Sequence, residues 1–195
     1  MTSPLEISYI IDAEDRIISV DGEWSRFAAE NDGAELLPDK VVGRQLWDFI
    51  ADEPTQELYR NVLERVRSGK PTELILRCDA PDRRRLIEMC VARRVDGTVA
   101  FNVHQLCERS RRWQPLLAKS TPRNTAHVLT CSWCNRVHAG TEEWLEVEEA
   151  VDRLELTGEA EFPRMEYVIC PDCFAKVTEI LTRKNPLESE GFEAA

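Results

Sequence analysis

The sequence predicts a mixed α+β fold made of two parts, and three observations support this prediction. Strand-like and helix-like segments alternate over roughly the first hundred residues and end in three consecutive strand candidates, which is typical of a domain built on an antiparallel sheet. Two close cysteine pairs, Cys131 with Cys134 and Cys170 with Cys173, lie in the last third of the chain. The length of 195 residues allows one domain of ordinary size and a small second module.

The N-terminal part begins with a predicted hairpin followed by short helices. Ile7 to Ile11 and Arg16 to Val20 are β-rich runs joined by the polar turn Ala-Glu-Asp. Apolar residues then recur at helical spacing from Gly22 to Asn31, and again from Leu46 to Ile50.

A longer helix and three strands complete this part. Pro54 suits the first turn of the helix, and Gly69 ends it. The apolar face of this helix consists of Leu58, Val62, Leu63 and Val66. The strands are predicted at Thr72 to Cys78, Arg84 to Ala92 and Thr98 to Leu106. The expected architecture is therefore a five-stranded antiparallel sheet with helices.

This order of elements over residues 5 to 108 resembles a PAS domain. The segments WSRFAAEN (24–31), VGR (42–44) and LWDFI (46–50) carry the resemblance, together with the three closing strands. It implies a sensory or docking domain at 1–108, a pocket between the long helix and the sheet, and homodimers through this domain. It names no ligand, and it disfavours haem because residues 53–69 contain no histidine. The four aromatic side chains in the quoted segments are interpreted as core residues: Trp24, Phe27, Trp47 and Phe49.

Each cysteine pair has two residues between its thiols, a spacing that lets both sulfurs reach one metal ion. Four such thiolates complete the tetrahedral shell that Zn²⁺ prefers in closed structural sites. The sequence therefore predicts a zinc site at Cys131, Cys134, Cys170 and Cys173. Iron is the alternative metal, because CPxC segments also hold iron, and an iron–sulfur cluster is a further one.

The metal-clamped module is predicted to span 127–185 and to be mainly helical. Thr141 is expected to cap a helix that runs to about Leu156. The apolar face of that helix is Trp144, Val147, Val151 and Leu154. A second helix follows Cys170, with a buried stripe of Phe174, Val177, Ile180 and Leu181. Residues 186–195 have the composition of a disordered acidic tail.

The module resembles one appended to some bacterial PAS and signalling proteins. The matching segments are CSWCNR (131–136), the acidic segment around Trp144, and VICPDC (168–173). Members commonly have His-Gly where this chain has Tyr167-Val168, and the cysteines are unaffected by this difference. The resemblance implies a metal-binding architecture and no activity.

Residues 109–126 connect the two parts. Their polar, basic composition and two prolines favour a flexible linker, while Trp113, Leu116 and Leu117 could instead form the apolar face of a packed segment. The arginines at 109, 111 and 112 are interpreted as a solvated patch that balances an acidic protein.

Charge and composition favour protein partners. The net charge is −11, and residues 127–195 hold 6 basic and 15 acidic side chains, the reverse of what DNA binding needs. The chain has no apolar run long enough to cross a membrane and no secretory signal at its start, so a cytoplasmic location is predicted. Reduced thiols are therefore expected, and Cys78, Cys90 and Cys107 are interpreted as packed side chains.

No catalytic constellation is recognised, and the protein is predicted not to be an enzyme. A closed four-thiolate shell leaves no open coordination position. His104, His127 and His138 are interpreted as surface, edge or capping residues. The leading hypothesis is a sensory or regulatory protein whose zinc module docks a protein partner. The alternative is a redox switch in which oxidation joins the cysteines of each pair and releases the metal.

Overall fold

An antiparallel sheet of five strands forms the N-terminal part of the protein. The structure is a computed structural model, and it describes residues 6–31, 33–140 and 143–183. Its strand order is β2-β1-β5-β4-β3, so β2 and β3 are the edges. The strands are β1 (Glu6–Ile11), β2 (Ile17–Val20), β3 (Thr72–Arg77), β4 (Arg83–Arg93) and β5 (Val99–Ser110). Every pairing in this sheet is antiparallel, which confirms the predicted α+β class.

Three helices lie between β2 and β3. They are α1 (Gly22–Glu30), α2 (Pro38–Val41) and α3 (Glu53–Arg67). The Asp52 side chain caps α3 by accepting a 2.9 Å hydrogen bond from the Thr55 amide, and Pro54 lies in the first turn as predicted. The predicted apolar face of α3 is at most 2% exposed and belongs to the same buried cluster as Phe101 and Val91 of the sheet. Helix α2 and a 3-10 turn at Ala34–Leu36 were not predicted.

The C-terminal part contains a second sheet that the sequence analysis missed. Its strands are β6 (Arg123–Cys131), β7 (Val137–His138), β8 (Trp144–Leu145) and β9 (Phe162–Val168), in the order β8-β7-β6-β9. Strands β6 and β9 are parallel, with Cys131 opposite Val168. Helices α4 (Val147–Arg153) and α5 (Pro171–Thr182) accompany this sheet, so the module holds more strand than the mainly helical prediction allowed.

The helix predicted from Thr141 to Leu156 is wrong over its first half. Trp144 lies in β8, where it pairs with His138, and α4 begins only at Val147. Val147 and Val151 are buried as predicted. Thr141 and Glu142 lie outside the described residues, as do the whole of the predicted tail at 186–195 and residues 184–185.

The predicted linker, 109–126, overlaps the ends of two strands and a packed turn between them. Strand β5 continues to Ser110 and β6 starts at Arg123. Leu116, in the 3-10 turn between them, is fully buried. The Arg123 guanidinium donates hydrogen bonds of 2.8 to 3.0 Å to three backbone carbonyls, those of Leu116, Ala118 and Pro163. The division of the chain into two domains stays an interpretation of the sequence.

Within the described residues, no helix is both long enough and apolar enough to cross a membrane.

Candidate metal centre

The fold brings the four predicted cysteines together. Cys131 ends β6, Cys134 lies in the turn that follows, Cys170 caps α5 and Cys173 lies in its first turn. Their four Sγ atoms lie within 4.8 Å of one another. Cys131, Cys170 and Cys173 are buried and Cys134 is half-buried. We call residues 131–134 the first knuckle and residues 170–173 the second knuckle.

The spacing of the sulfurs fits a tetrahedral metal ion. A Zn–S bond of about 2.3 Å sets the sulfur–sulfur edge of a tetrahedron at about 3.8 Å. The Sγ atoms of Cys134 and Cys170, one from each knuckle, are 3.8 Å apart. The donor set and its spacing therefore suit a structural zinc or iron ion, with all four positions filled by thiolates.

Backbone groups shape the first knuckle and point at its sulfur. The Cys131 amide donates to the Arg136 carbonyl at 2.8 Å, and Asn135 adopts a left-handed φ of 55° that closes the turn. The amides of Trp133 and Cys170 donate to the Cys131 Sγ at 3.4 and 3.3 Å. Such bonds stabilise a thiolate, the form that binds metal.

Arg136 supplies positive charge to both knuckles. Its Nε donates to the Cys134 Sγ at 3.3 Å, and its Nη2 lies 3.8 Å from the Cys170 Sγ. The same Nη2 donates to Asp172 at 2.9 Å, which holds the guanidinium in place. A metal with four thiolates carries net negative charge, so Arg136 lies where it partly neutralises that charge.

The thiols of the cluster differ in acidity. Hydrogen bonds with the side chains of Cys131, Cys173 and Arg136 lower the pKa of Cys134. Burial raises the pKa of Cys170 to about 11. Metal binding therefore has to displace protons from part of the cluster, so its affinity depends on pH.

The knuckles pack directly on the N-terminal part. Cys131, Trp133, Cys170 and Cys173 belong to the same buried apolar cluster as α3 and the five-stranded sheet. The Trp133 ring lies 5.7 Å from that of Tyr59 on α3, measured between centroids. The candidate metal centre therefore shares a hydrophobic core with α3 and the five-stranded sheet.

Polar contacts reinforce this packing. The hydroxyls of Thr55 on α3 and Ser132 in the first knuckle lie 3.2 Å apart. Arg65, also on α3, donates from Nη1 to the carbonyl of Leu181 at the end of α5 at 3.1 Å. Both knuckles and the helix that follows them are thus held against α3.

A buried ionic network, which the sequence analysis missed, also joins the two parts. Arg77 of β3 pairs with Asp79 and Glu146, and Arg111 reaches Asp79 at 3.2 Å and Glu148 at 3.6 Å. The Asp79 side chain is fully buried and the Arg111 side chain is 5% exposed. Arg111 is therefore not the solvated residue that was predicted. Although burial alone would lower the pKa of Arg77, hydrogen bonds to Asp79 and Glu146 raise it, which keeps its charge fixed.

The remaining candidate residues lie apart from the metal centre. His104 and His127 are about half exposed and face Glu6 and Glu166 at 3.3 and 2.5 Å. His138 packs against Trp144, with 5.2 Å between ring centroids. Cys78 and Cys90 are half-buried, but Cys107 is exposed, so its predicted packing is wrong. The predicted buried stripe of α5 also needs correction, because Phe174 is exposed.

An apolar cavity of about 250 Å³, which we call the inner cavity, lies between the helices and the five-stranded sheet. Trp24 and Phe49, predicted as core, line it together with Tyr9 and Tyr59. Burial raises the pKa of Tyr59 to about 12, which keeps its hydroxyl protonated. Tyr59 also contacts Trp133, so its ring separates this cavity from the first knuckle.

A wider groove of about 570 Å³ lies between edge strand β3 and helix α5, and we call it the edge groove. Ile75, Leu86, Val177 and Ile180 form apolar parts of its wall, and Cys134 and Cys173 also line it. Ile75 is 56% exposed. The edge groove thus runs from the edge strand β3 to the candidate metal centre.

The structure is similar to two solved sensory-domain structures. For a domain of the sensory box sensor histidine kinase/response regulator from Geobacter sulfurreducens, the TM-score is 0.38 at 14% identity, over 51% of this chain and 82% of that one. For a domain of an HTR-like protein from Haloarcula marismortui, the TM-score is 0.31 at 17% identity, over 52% of this chain and 98% of that one. No family model and no curated protein matches the chain. We draw no functional conclusion from likenesses of this size.

Proposed function

We propose that this protein is a non-enzymatic sensory or regulatory protein in which a PAS-like domain is coupled to a structural zinc module that docks a protein partner. The observation that carries the proposal is the shared core: three of the four cysteines lie in the same buried apolar cluster as α3 and the sheet. A change in the inner cavity therefore reaches the metal module through packed side chains. The module then serves as the output surface.

Zinc acts in this proposal as a clamp. Zinc binding contributes on the order of 10 to 16 kcal/mol to the folding of small zinc-finger peptides. Here the four sulfurs hold the end of β6 and the start of α5 together. The clamp also fixes Trp133, and through it the contact with Tyr59.

The partner that suits the edge groove is an extended peptide segment. The Arg77 amide donates to the Trp133 carbonyl on the side of β3 away from β4. Residues two apart in a strand direct their backbone groups to the same side, so Glu73 and Ile75 also direct theirs away from β4. A peptide strand there would pair with these groups and place apolar side chains against Ile75 and Ile180.

The experiment that tests the proposal is metal analysis of the purified protein by plasma mass spectrometry, with free thiols counted before and after mild peroxide. About one zinc per chain that survives mild peroxide is the expected result, because a shielded tetrathiolate resists oxidation. A folded protein without bound metal contradicts the proposal. Iron in place of zinc would show that the predicted metal is wrong.

The redox switch is the second candidate, and one observation favours it. Cys134 is half-buried and lines the open edge groove, where a small oxidant has access to its sulfur. Each disulfide forms as two thiolates give two electrons to hydrogen peroxide, whose O–O bond breaks and which takes two protons from solvent to become two water molecules, and the metal loses its ligands. Reversible zinc release in the same peroxide experiment would support this candidate over the clamp.

A further inference from the structure

A second cavity, of about 240 Å³, lies where the N-terminus of α3 meets the first knuckle. We call it the seam cavity. Its walls come from both parts of the protein: Asp52, Thr55 and Tyr59 from the PAS-like domain, and Ser132 and Trp133 from the knuckle. It shares Phe49, Ile50 and Tyr59 with the inner cavity, whereas Thr55, Ser132, Trp133 and Tyr167 line the seam cavity and not the inner one. It is therefore a site that exists only because the two parts are packed together.

Aromatic side chains dominate these walls. Phe49, Tyr59, Trp133 and Tyr167 all face the seam cavity. The rings of Tyr59 and Trp133 are inclined at 53° with centroids 5.7 Å apart, so two aromatic rings already meet in this wall. Aromatic rings prefer offset or edge-to-face contacts with one another, so this arrangement favours a flat aromatic ligand.

A small number of polar groups converge on the same space. The hydroxyls of Thr55 and Ser132 lie 3.2 Å apart. The Asp52 Oδ1 accepts the Thr55 amide, and among the described residues no hydrogen bond uses its Oδ2. The Asp52 Oδ2 accepts hydrogen bonds and does not donate them, so it selects a ligand that carries a hydrogen-bond donor, and the two hydroxyls can accept as well.

The volume limits the size of the ligand. An apolar cavity of about 150 Å³ accommodates benzene. Pockets for drug-sized molecules start at about 300 Å³. At about 240 Å³, the seam cavity suits a molecule of one or two rings.

We propose that the seam cavity binds a one- or two-ring aromatic molecule that carries a hydrogen-bond donor. Such a ligand contacts Ser132 and Trp133, the two residues between Cys131 and Cys134, so its binding energy also stabilises the first knuckle. This proposal rests on the proposed function, because it takes the first knuckle in its metal-bound state. It assigns a ligand class to the sensor and a path from the ligand to the metal centre.

Indole is the probe for this site, because it has two fused rings and one N–H donor. We would titrate it into the full, metal-loaded chain and follow backbone amide resonances, with metal content measured in the same sample. Saturable shifts at Thr55, Ser132 and Trp133 are expected. Benzothiophene, which has the same shape without the N–H, should bind about tenfold more weakly, because it offers no donor to the Asp52 carboxylate.

Ala51 lines the mouth of the seam cavity and is exposed, so Ala51→Phe should obstruct it and weaken indole binding at least about tenfold. Ala126→Phe, the same change at an exposed alanine outside the cavity, should leave binding unchanged. The proposal is overturned if indole causes no saturable shift of amide resonances in the metal-loaded protein. It is also overturned if the shifted amides centre on Tyr9 and Trp24, which line the inner cavity, or if the two variants weaken indole binding equally. Indole binding to folded protein that lacks metal would contradict the proposed function while supporting the seam site.

Discussion

The backbone amide of Arg77 donates a 2.9 Å hydrogen bond to the carbonyl of Trp133, so the edge strand of the five-stranded sheet is joined to the first knuckle. Arg77 is the last residue of β3, and Trp133 lies between two of the cysteines. The position of this carbonyl depends on the turn that the cysteines hold. The end of β3 and the metal centre are therefore expected to order and disorder together.

Metal removal should loosen this end of β3. After chelation, the Arg77 amide should exchange its hydrogen with solvent at least about tenfold faster, because the knuckle that carries its acceptor opens. Hydrogen exchange followed by NMR measures this rate. The amides of Val91 and Phe101, in the central strands, serve as the internal control. Equal acceleration of all three amides would show global unfolding and no specific link.

Replacing one ligand should destabilise the whole protein. Cys131→Ser removes a buried ligand from the candidate site, and structural zinc contributes on the order of 10 kcal/mol to the folding of small zinc-finger peptides. We expect loss of bound metal and a lower melting temperature, measured by plasma mass spectrometry and calorimetry. Cys107→Ser is the matched control, because Cys107 is exposed and outside the cluster. Metal retained by the Cys131 variant would contradict the proposed ligand set.

Removing the charge of Arg136 should make the metal centre labile. Arg136→Gln deletes the donors to Cys134 and Cys170, and outer partners of metal ligands typically account for about 10- to 100-fold in affinity. Zinc transfer to a coloured chelator should therefore accelerate by about tenfold or more. Arg153→Gln, at an arginine that is 62% exposed, should transfer zinc at the unaltered rate. If zinc transfer is equally fast in the two variants, Arg136 does not help to hold the metal.

The edge groove should select extended peptides with alternating apolar residues. A phage-displayed peptide library panned on the metal-loaded chain provides the measurement, and Ile75→Lys should abolish binding of the selected peptides because it introduces charge into the groove. Ile18→Lys is the control, since Ile18 is an exposed isoleucine on the opposite edge strand. Selected peptides that bind both variants equally well would place the docking surface elsewhere.

Glu148 should stabilise the fold near neutral pH and not in acid. Burial acts to raise the pKa of Glu148, but its backbone hydrogen bond and the guanidinium groups of Arg84 and Arg111 lower it overall. A lowered folded-state pKa gives stability that is present above the unfolded value of about 4.3 and is lost as the pH falls through the folded value. Glu148→Gln should therefore cost about 1 kcal/mol near pH 7 and less below about pH 4. Urea unfolding, with metal content checked at each pH, measures the difference.

Glu149→Gln is the matched control for this experiment. Glu149 is the next residue along α4 and is exposed. Its substitution should leave the free energy of unfolding unchanged at every pH. A cost for Glu148→Gln that stays constant into acid would show that the carboxylate charge is not the cause.

The order of elements in the N-terminal part could be predicted because its signals are local. The Pro54 position, the helical spacing around Leu58 and Val62, and the turn residues between strands each act within a few residues. The cysteine cluster was predictable for the same reason, since the spacing within each pair already implies a shared ion.

The C-terminal sheet combines a short local pairing that the helical spacing concealed with a pairing between distant segments. Trp144, Val147 and Val151 have helical spacing, but Trp144 pairs with His138 in a strand instead. Parallel pairing of β6 with β9 joins segments some way apart in the chain and leaves no local turn signal. Tertiary pairing therefore overrode the local preference.

The buried charge of Arg111 was unpredictable for a related reason. Its partner Asp79 lies 32 residues earlier, in the turn between β3 and β4. A run of polar residues normally indicates a solvated segment. Only the folded structure shows that these two oppositely charged side chains are buried as a pair.

The parallel pairing of β6 and β9 has a consequence for the order of events during synthesis. Cys131 lies opposite Val168, and the second knuckle begins two residues later. A ribosome makes every strand of the five-stranded sheet before it makes either β9 or Cys173. Once the first knuckle is made, the nascent chain holds two of the four cluster thiols and an uncovered β3 end, and the cluster closes only when residue 173 is free to reach them. Coordination of one ion by all four thiols therefore has to wait for Cys173.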